Sequence, residues 1–260
     1  MPVASRRDGP LYSAVPPDAV VVLADAHIGY GPPETESALH RFLELVPDLA
    51  GHLVINGDLF EFWFEYRSVI PRRAFPTLRA LAGVRQRGVR LTLTGGNHDR
   101  WGGEFWRREL DAEFEPRFVE LTLAGFRAWV GHGDGLGFER LGSRAFHAVV
   151  AHPVTRRVFR LLHPDAGFAV VERLSPYLAG KAKDVAARER STDRQEAYAR
   201  DLLAARPALD LVVMAHTHAP RLVEFDPRRW FVNPGSWAGE FRYAVINTTG
   251  PELRRFDPRA

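Results

Sequence analysis

Five short polar clusters recur along the chain, and together they carry the side chains that divalent metal ions bind. In chain order they are Asp25-Ala-His27, Gly57-Asp58, Gly96-Asn97-His98-Asp99, Gly131-His132-Gly-Asp134 and Ala215-His216-Thr-His218. Their carboxylate, amide and imidazole groups suit Mn²⁺, Fe²⁺, Zn²⁺ or Co²⁺, whereas the absence of cysteine excludes thiolate-held zinc and iron–sulfur centres. Two such ions roughly 3.5–4 Å apart lower the pKa of a bound water and stabilise the attacking and leaving oxygens at phosphorus. The clusters therefore predict a dinuclear site that hydrolyses phosphoesters.

Each cluster directly follows a run of apolar, mostly β-branched residues of the kind that forms buried strands. The runs are 20–23, 53–55, 89–93, 128–130 and 211–214. One cluster alone is more readily a turn than a functional site. In open α/β sheets, however, ligands bind in the crevice beyond the carboxyl ends of the strands. Five clusters at five strand ends therefore predict one shared site.

The ordered set of clusters resembles the calcineurin-like metallophosphoesterase superfamily over residues 25 to 218. Late in the chain, Asn233-Pro-Gly-Ser236 resembles a further signature of that family. The fold expected is α/β, a four-layer αββα sandwich in which two sheets are flanked by helices. Strands are predicted to begin near Val20, Leu53, Leu91, Phe118, Arg127, Leu211, Leu222, Trp230 and Tyr243, the last three as antiparallel strands.

The resemblance also implies a role for each residue of the clusters. The ligands of the first metal ion would be Asp25, His27 and His218. The ligands of the second ion would be Asn97, His132 and His216. Asp58 would bridge both ions, His98 would donate a proton or hydrogen bond to the substrate, and Asp99 would orient His98.

About seventy-five residues separate the fourth cluster from the strand before the fifth, where a short helical crossover would suffice. We therefore expect one domain over residues 18–260 with a helical cap inserted at about 136–205, and a loosely ordered leader over 1–17. Helices are predicted at about 138–150, 154–162, 168–178 and 192–205. A capping box of Thr192 and Gln195 would begin the last of them.

The positive charge of the chain is concentrated in the predicted cap. Residues 135–200 contain twelve Arg or Lys against seven Asp or Glu, a net charge of +5, whereas the whole chain of 260 residues carries +3. Within the cap, Arg156, Arg157 and Arg160 interleave with apolar residues, as in helices that meet an anionic membrane surface. Ordinary amphipathic packing onto the sandwich is the alternative interpretation.

An aromatic run follows the second cluster and bears on the substrate. Residues 60–66 hold five aromatic side chains, which either alternate into the core or form an exposed binding patch. As a motif, residues 57–66 resemble the UDP-2,3-diacylglucosamine pyrophosphohydrolases of lipid A synthesis. That resemblance implies Mn²⁺ and cleavage to UMP and 2,3-diacylglucosamine 1-phosphate. Many members of that branch carry arginine at the position of His98, and Ala215 stands where glycine usually precedes His-x-His.

Two other functions stay open at this point. One is hydrolysis of nucleotides, other phosphodiesters or phosphomonoesters, and the other is a non-catalytic binding scaffold. No nucleic-acid partner is expected, because the cap is apolar as well as basic. The candidate substrate contacts are Trp63, Arg100, Lys181, Lys183 and Arg188.

The remaining features bear on location and on the histidines outside the clusters. We find no signal peptide and no apolar run of about eighteen residues, so the expected location is cytoplasmic, with a peripheral contact to the inner membrane. His40 and His52 are interpreted as structural or surface residues.

Overall fold

A computed structural model describes residues 18–29, 31–134, 136, 152–169, 173 and 185–259. The predicted leader, the first predicted helix of the cap and most of the third lie outside the described residues. Lys181 and Lys183 also lie outside them.

The first sheet has six strands. They are β1 (Val20–Leu23), β2 (His52–Asn56), β3 (Arg90–Thr94), β4 (Glu113–Glu115), β10 (Arg242–Asn247) and β11 (Gly250–Arg255). Their order across the sheet is β11-β10-β1-β2-β3-β4. The neighbours from β1 to β4 pair in parallel, whereas β10 pairs antiparallel with β1 and β11. The carboxyl ends of β1, β2 and β3 thus meet at one edge.

The second sheet has five strands. They are β5 (Phe118–Leu123), β6 (Phe126–Gly131), β7 (Leu211–Val213), β8 (Arg221–Asp226) and β9 (Arg229–Asn233). Their order is β5-β6-β7-β9-β8, with β6, β7 and β9 parallel and the two outer strands antiparallel to their neighbours. The strands that precede the fourth and fifth polar clusters, β6 and β7, are therefore adjacent.

The described residues form five α-helices. They are α1 (Pro33–Leu49), α2 (Phe75–Gln86), α3 (Phe105–Leu110), α4 (Pro153–Leu161) and α5 (Val185–Ala205). A 3₁₀ turn, Arg72–Ala74, precedes α2, and residues 164–169 are also helical. The helix predicted at 154–162 is confirmed as α4.

Strand alternation explains the layers. On β1, Val21 belongs to a core shared with α1 and α2, whereas Val20 belongs to a core shared with the second sheet. A third apolar cluster lies on the outer face of the second sheet, where Ala199 and Leu203 of α5 pack with Phe231. Helices, sheet, sheet and helix therefore follow one another, and the predicted αββα sandwich is confirmed.

The predicted start of the last helix is wrong. α5 begins at Val185, seven residues earlier, so Thr192 and Gln195 lie inside the helix rather than at its cap. The Thr192 hydroxyl donates to the carbonyl of Arg188 at 3.0 Å, one turn earlier, and both predicted capping residues are buried. The second half of α5 also forms the fourth layer of the sandwich, whereas the sequence placed it in the cap.

The predicted strands omitted two. β4 and β11 escaped prediction because their residues are largely charged: β4 reads Glu-Phe-Glu, and β11 begins with Gly-Pro and ends with two arginines. The strand predicted near Tyr243 is β10. It is antiparallel as predicted, and it pairs with β1 and β11 in the first sheet, whereas β8 and β9 lie in the second.

Candidate metal centre

The five polar clusters form loops at one edge of the sandwich, and main-chain hydrogen bonds hold these loops side by side. His27 N donates to Asp58 O at 3.0 Å, which joins the loops after β1 and β2. In the second sheet, Ala215 N donates to His132 O at 2.9 Å, which joins the loops after β6 and β7. Within each sheet, the loops that carry neighbouring clusters are therefore held side by side.

Seven of the predicted side chains converge at this edge. Three overlapping groups have ligand atoms within 4.8 Å of one another: Asp25, His27 and His218; His27, Asp58 and His98; and Asp58, His132 and His216. His132 Nε2 lies 3.1 Å from an oxygen of Asp58, and His218 Nε2 lies 3.3 Å from Asp25 Oδ1. Oxygen and nitrogen donors thus surround a common space rather than separate surface sites.

Three buried polar atoms here have no hydrogen-bond partner within the described part of the chain. They are Asp25 Oδ1, Asn97 Oδ1 and His132 Nε2. Leaving such an atom unpaired costs about 1–3 kcal/mol, so native proteins rarely tolerate it without another partner. All three are donor atoms of the types that divalent ions bind, and Asp25 Oδ1 lies 3.7 Å from His132 Nε2. The residues therefore fit a divalent metal centre.

Hydrogen bonds on the far side of two imidazoles aim their other nitrogen at this centre. His27 Nδ1 lies 2.8 Å from Glu61 Oε2, and His132 Nδ1 lies 2.8 Å from the carbonyl of Asn56. Because both partners accept, each Nδ1 carries a proton, so Nε2 is the nitrogen that can bind a metal ion once it is deprotonated. Sequence reasoning missed Glu61, although a carboxylate three residues after Asp58 was a signal that could have found it.

The structure gives His98 a different orienting partner from the one predicted. His98 Nδ1 lies 2.7 Å from the carbonyl of Glu61, and His98 N donates to Asp58 Oδ1 at 2.9 Å. The carboxylate of Asp99 instead accepts main-chain bonds from Gly96 at 2.8 Å and Leu59 at 2.7 Å. Asp99 therefore ties together the loops after β2 and β3, and the predicted contact with His98 is wrong.

Burial and neighbouring charges shift the pKa values at the centre. Burial favours the neutral form of His27, but its hydrogen bond to Glu61 and the charges of Asp58 and Asp25 outweigh it and raise the pKa of His27 to about 9. Burial likewise opposes ionisation of Asp58, yet His132 and the neighbouring imidazoles hold the Asp58 pKa well below its usual range. Burial and the charge of Asp58 raise the pKa of Asp99 to about 6. Asp58 is thus ionised at neutral pH, as a metal ligand must be.

Strained backbone is concentrated in the same loops. Five cluster residues adopt positive φ angles: Asp25 (52°), His27 (50°), Asp58 (53°), His216 (71°) and His218 (57°). Each such conformation costs on the order of 1–3 kcal/mol and persists only where the surroundings over-determine it, commonly at functional sites. The strain here coincides with the side chains that converge on the centre.

Two glycines are required for the loops to approach so closely. A Cβ atom on Gly96 would lie 2.1 Å from Asp58 Oδ1, and one on Gly57, which has φ +79°, would lie 2.4 Å from His132 Nδ1. Any side chain at either position would push a convergent ligand aside.

Trp63, a predicted substrate contact, lies in the core. It is 1% exposed and stacks with Phe60 at a ring distance of 5.3 Å and packs against Trp106 at 5.2 Å. The aromatic run is mostly buried because it pairs with the loop after β3: Trp63 N donates to His98 O at 3.1 Å. Of the two interpretations of the aromatic run, packing into the core rather than an exposed binding patch is therefore correct for Trp63.

Part of the aromatic run instead contacts the cap. Phe159 of α4 packs against Phe62 and Phe64 at ring distances of 5.6 and 4.8 Å. Phe168 contacts Phe62 at 5.5 Å. Other apolar side chains of α4 are exposed to solvent: Val158 is 56% and Leu161 87% exposed. The helix thus joins the aromatic run and also presents apolar side chains to solvent.

The described basic candidates for substrate binding have protein partners. Arg100 forms an ion pair with Asp134, and its Nε donates to the carbonyl of Gly96 at 3.1 Å. Arg188 is half-buried on α5.

The two histidines interpreted as structural lie away from the centre. His40 Nε2 contacts Thr77 Oγ1 at 2.9 Å, and His52 Nε2 contacts Thr92 Oγ1 at 2.8 Å. Burial, together with the charge of Arg90, lowers the pKa of His52 to about 3. Both therefore hold neighbouring elements together.

Behind the centre lies a buried polar network. Thr192, Gln195 and Asn233 connect α5 to the loop after β7. In the sequence, Thr192 and Gln195 were interpreted as a capping box, and Asn233 was recognised only as part of a motif.

Among the helices that the structure describes, none combines the length and apolar character needed to cross a bilayer.

Comparison with known proteins agrees with the geometry of the centre. Residues 19–220 match the family described as calcineurin-like phosphoesterase. The chain is 27% identical to a UDP-2,3-diacylglucosamine hydrolase of Porphyromonas gingivalis, over 87% of this chain and 93% of that protein. It is also 27% identical to a UDP-2,3-diacylglucosamine hydrolase of Salmonella agona, over 92% of this chain and 99% of that protein.

Solved structures with a similar course of the chain include two Vps29 proteins. Vps29 of Cryptosporidium parvum matches with a TM-score of 0.47 and 14% identity, covering 92% of each chain. Vps29 of Chaetomium thermophilum matches with a TM-score of 0.43 and 16% identity, covering 90% of this chain and 84% of that one.

Proposed function

The chain belongs to the calcineurin-like phosphoesterase family and is a metal-dependent phosphoester hydrolase, and we propose that its substrate is UDP-2,3-diacylglucosamine. The products would be UMP and 2,3-diacylglucosamine 1-phosphate, as in lipid A synthesis. The names of the relatives in Porphyromonas and Salmonella support this substrate, since the similarity extends over nearly all of both chains. Mn²⁺ is the ion we propose, with Fe²⁺, Zn²⁺ and Co²⁺ as candidates of similar chemistry.

The observation that carries the proposal is the set of three unpaired buried atoms, Asp25 Oδ1, Asn97 Oδ1 and His132 Nε2. We assign Asp25, His27 and His218 to one ion and Asn97, His132 and His216 to the other, with Asp58 between them. In support, Asp58 belongs to two of the three convergent groups. Two bound divalent ions would supply a water of lowered pKa and offset negative charge on the phosphoryl oxygens.

His98 is the residue we propose to act on the substrate. Its Nδ1 lies against the Glu61 carbonyl, its side chain is 24% exposed, and its ring lies 4.9 Å from that of His27. In its cationic form, with a proton on each nitrogen, His98 can donate a proton or hydrogen bond from Nε2 to a non-bridging oxygen of the phosphate. Glu61 positions both imidazoles, because its carbonyl faces His98 and its carboxylate faces His27.

The cap supports an acylated substrate. Val158 and Leu161 are exposed on α4, next to Arg157 and Arg160 on the same exposed helix. Apolar and cationic side chains together suit a molecule that carries both acyl chains and phosphate. We propose that this helix also contacts the cytoplasmic face of the inner membrane. We also propose that residues 18–260 form one domain, in which the inserted cap begins at about residue 136 and ends before the second half of α5.

Product analysis tests the proposed substrate. Purified protein with Mn²⁺ and UDP-2,3-diacylglucosamine should release UMP, and a chelator should stop the release. Bis(p-nitrophenyl) phosphate in parallel reports the general phosphodiesterase activity. Hydrolysis of the generic diester without UMP release from the lipid substrate would refute the substrate and leave the reaction class intact.

His98 favours one second candidate function. Many relatives of the lipid branch carry arginine at this position, whereas histidine is the general form in the superfamily. Hydrolysis of other nucleotide diesters or monoesters is therefore the alternative. Competition with the generic diester separates the two, because acyl lipids should inhibit a lipid enzyme and soluble nucleotide diesters should inhibit the alternative.

A further inference from the structure

The loop after β7 holds two proposed ligands in a strained conformation. His216 and His218 both have positive φ angles, 71° and 57°, and they flank Thr217. Thr217 N donates to Ala215 O at 2.8 Å, which closes the turn. A loop that is strained at two ligand positions needs contacts from outside to fix it.

Those contacts come from the interior of α5. Gln195 Nε2 donates to Ala215 O at 2.9 Å, and the hydroxyls of Thr192 and Thr217 are hydrogen-bonded at 2.8 Å. Asn233 completes the network, since its amide donates to Thr217 Oγ1 at 3.0 Å and to Gln195 Oε1 at 3.1 Å. All of these side chains are at most 5% exposed. A fully paired network of this kind is rigid because no water can replace its members.

Gln195 also contacts the neighbouring loop. A Cβ atom on Gly133, which has φ +100°, would lie 2.5 Å from Gln195 Nε2. The Gln195 amide therefore occupies the space beside the residue that follows His132, and its donor bond goes to the residue that precedes His216. His132 and His216 are both proposed ligands of the second ion.

From these contacts, which rest on the proposed metal site, we infer that Gln195 is a positioning residue for the second metal ion. Its amide holds the loops of His132 and His216 at the spacing that the ion requires, and Thr192 fixes Thr217 within the second loop. α5, whose second half packs on the outer face of the second sheet, thereby sets the metal affinity of the centre. Neither side chain is one of the convergent ligands.

Two variants remove the contacts with little change in volume. Gln195→Met keeps an unbranched side chain without donor or acceptor, and Thr192→Val keeps the shape of threonine without the hydroxyl. Thr192→Ser keeps the hydroxyl and should restore wild-type behaviour. Leu203→Ala is the matched control, because Leu203 is buried on the same helix and its side chain belongs to the apolar cluster on the outer face of the second sheet.

The readout is metal binding to the full-length protein, measured by calorimetry with Mn²⁺ and by the visible absorption of the Co²⁺-loaded protein. Gln195→Met and Thr192→Val should weaken one of two sites by about 10- to 100-fold, as loss of supporting partners commonly does. The Co²⁺ spectrum should change, because it reports ligand geometry. Leu203→Ala should lower the Tm and leave both dissociation constants and the spectrum unchanged.

Wild-type dissociation constants and spectrum in both variants, with only a lower Tm, would overturn the inference and leave the proposed function in place. Equal weakening of both sites in Leu203→Ala would also overturn it, since general loosening of the helix would then suffice. A wild-type protein that binds no Mn²⁺ or Co²⁺ would instead refute the proposed metal site itself.

Discussion

Replacing Glu61 by glutamine should weaken metal binding at His27 while the protein stays folded. Glu61 Oε2 lies 2.8 Å from His27 Nδ1, and both side chains are largely buried, at 15% and 16% exposed. A hydrogen bond to a charged group contributes about 1.5–3 kcal/mol. Glutamine can still accept from Nδ1–H, so the change removes the charge and keeps the geometry.

The size of the effect depends on pH in a direction that can be worked out. Loss of a supporting carboxylate typically costs 10- to 100-fold in metal affinity, or about 1.4–2.8 kcal/mol. Below the His27 pKa of about 9, an ion must first displace the His27 proton. Glu61 is the main group that holds this proton, so the variant releases it more easily and part of the loss is recovered. The difference between the two proteins should therefore be largest near pH 9 and smaller at pH 7.

Calorimetry with Mn²⁺ under argon at pH 7, 8 and 9 measures this effect. Glu65→Gln is the matched control, because Glu65 lies four residues later in the same run and accepts from Phe105 N, outside the convergent groups. Its variant should bind Mn²⁺ like the wild type. Equal affinities of Glu61→Gln and wild type at pH 9 would refute the reasoning, as would a difference that grows toward low pH.

Three further predictions follow from the same loops and from the first sheet. Gly96→Ala should abolish tight binding of two equivalents of Mn²⁺, measured by elemental analysis, because its Cβ would lie 2.1 Å from Asp58 Oδ1; full occupancy in a folded variant would contradict this. His98→Ala should keep both ions and lower kcat by about 10²-fold or more, and an unchanged kcat would remove His98 from the chemistry. Because the pKa of His52 is lowered from 6.5 to about 3 in the folded chain, the unfolded chain takes up the proton first as pH falls from about 6.5. When pH falls from 7.5 to 4.5, the free energy of unfolding of the wild type should decrease by about 2–3 kcal/mol more than that of His52→Gln. Urea unfolding in the presence of a chelator measures this difference, and parallel pH profiles of the two proteins would disprove the low pKa.

The layout of the centre was predictable because it follows from local pattern. Each ligand cluster comes directly after a β-branched run, and parallel strands bring their carboxyl ends to one edge. Only short-range features of the sequence were needed to place the loops of Asp25, Asp58 and Asn97 side by side at the edge of the first sheet. The family resemblance then supplied the identity of the sandwich.

What escaped prediction depends on contacts between distant residues. Nothing near Gln195 in the chain indicates that its amide faces Ala215, and its neighbourhood imitates a capping box. Trp63 was assigned to the substrate because the aromatic run lies beside a ligand, yet pairing with the loop after β3 turns its ring into the core. Asp99 was assigned to its neighbour in sequence, whereas its carboxylate reaches across to the loop after β2.

The proposed ligands come from both sheets: Asp25, Asp58 and Asn97 follow strands of the first, and His132, His216 and His218 follow strands of the second. Bound ions would therefore act as a further cross-link between two halves that meet through apolar contacts and through hydrogen bonds such as that of His132 Nδ1 with the Asn56 carbonyl. Separation of the sheets would require release of the ions, so metal concentration would set resistance to unfolding. At a free metal concentration one hundred times the dissociation constant, each bound ion adds about 2.7 kcal/mol to the free energy of unfolding. A shortage of metal would therefore lower the stability of the fold as well as the activity.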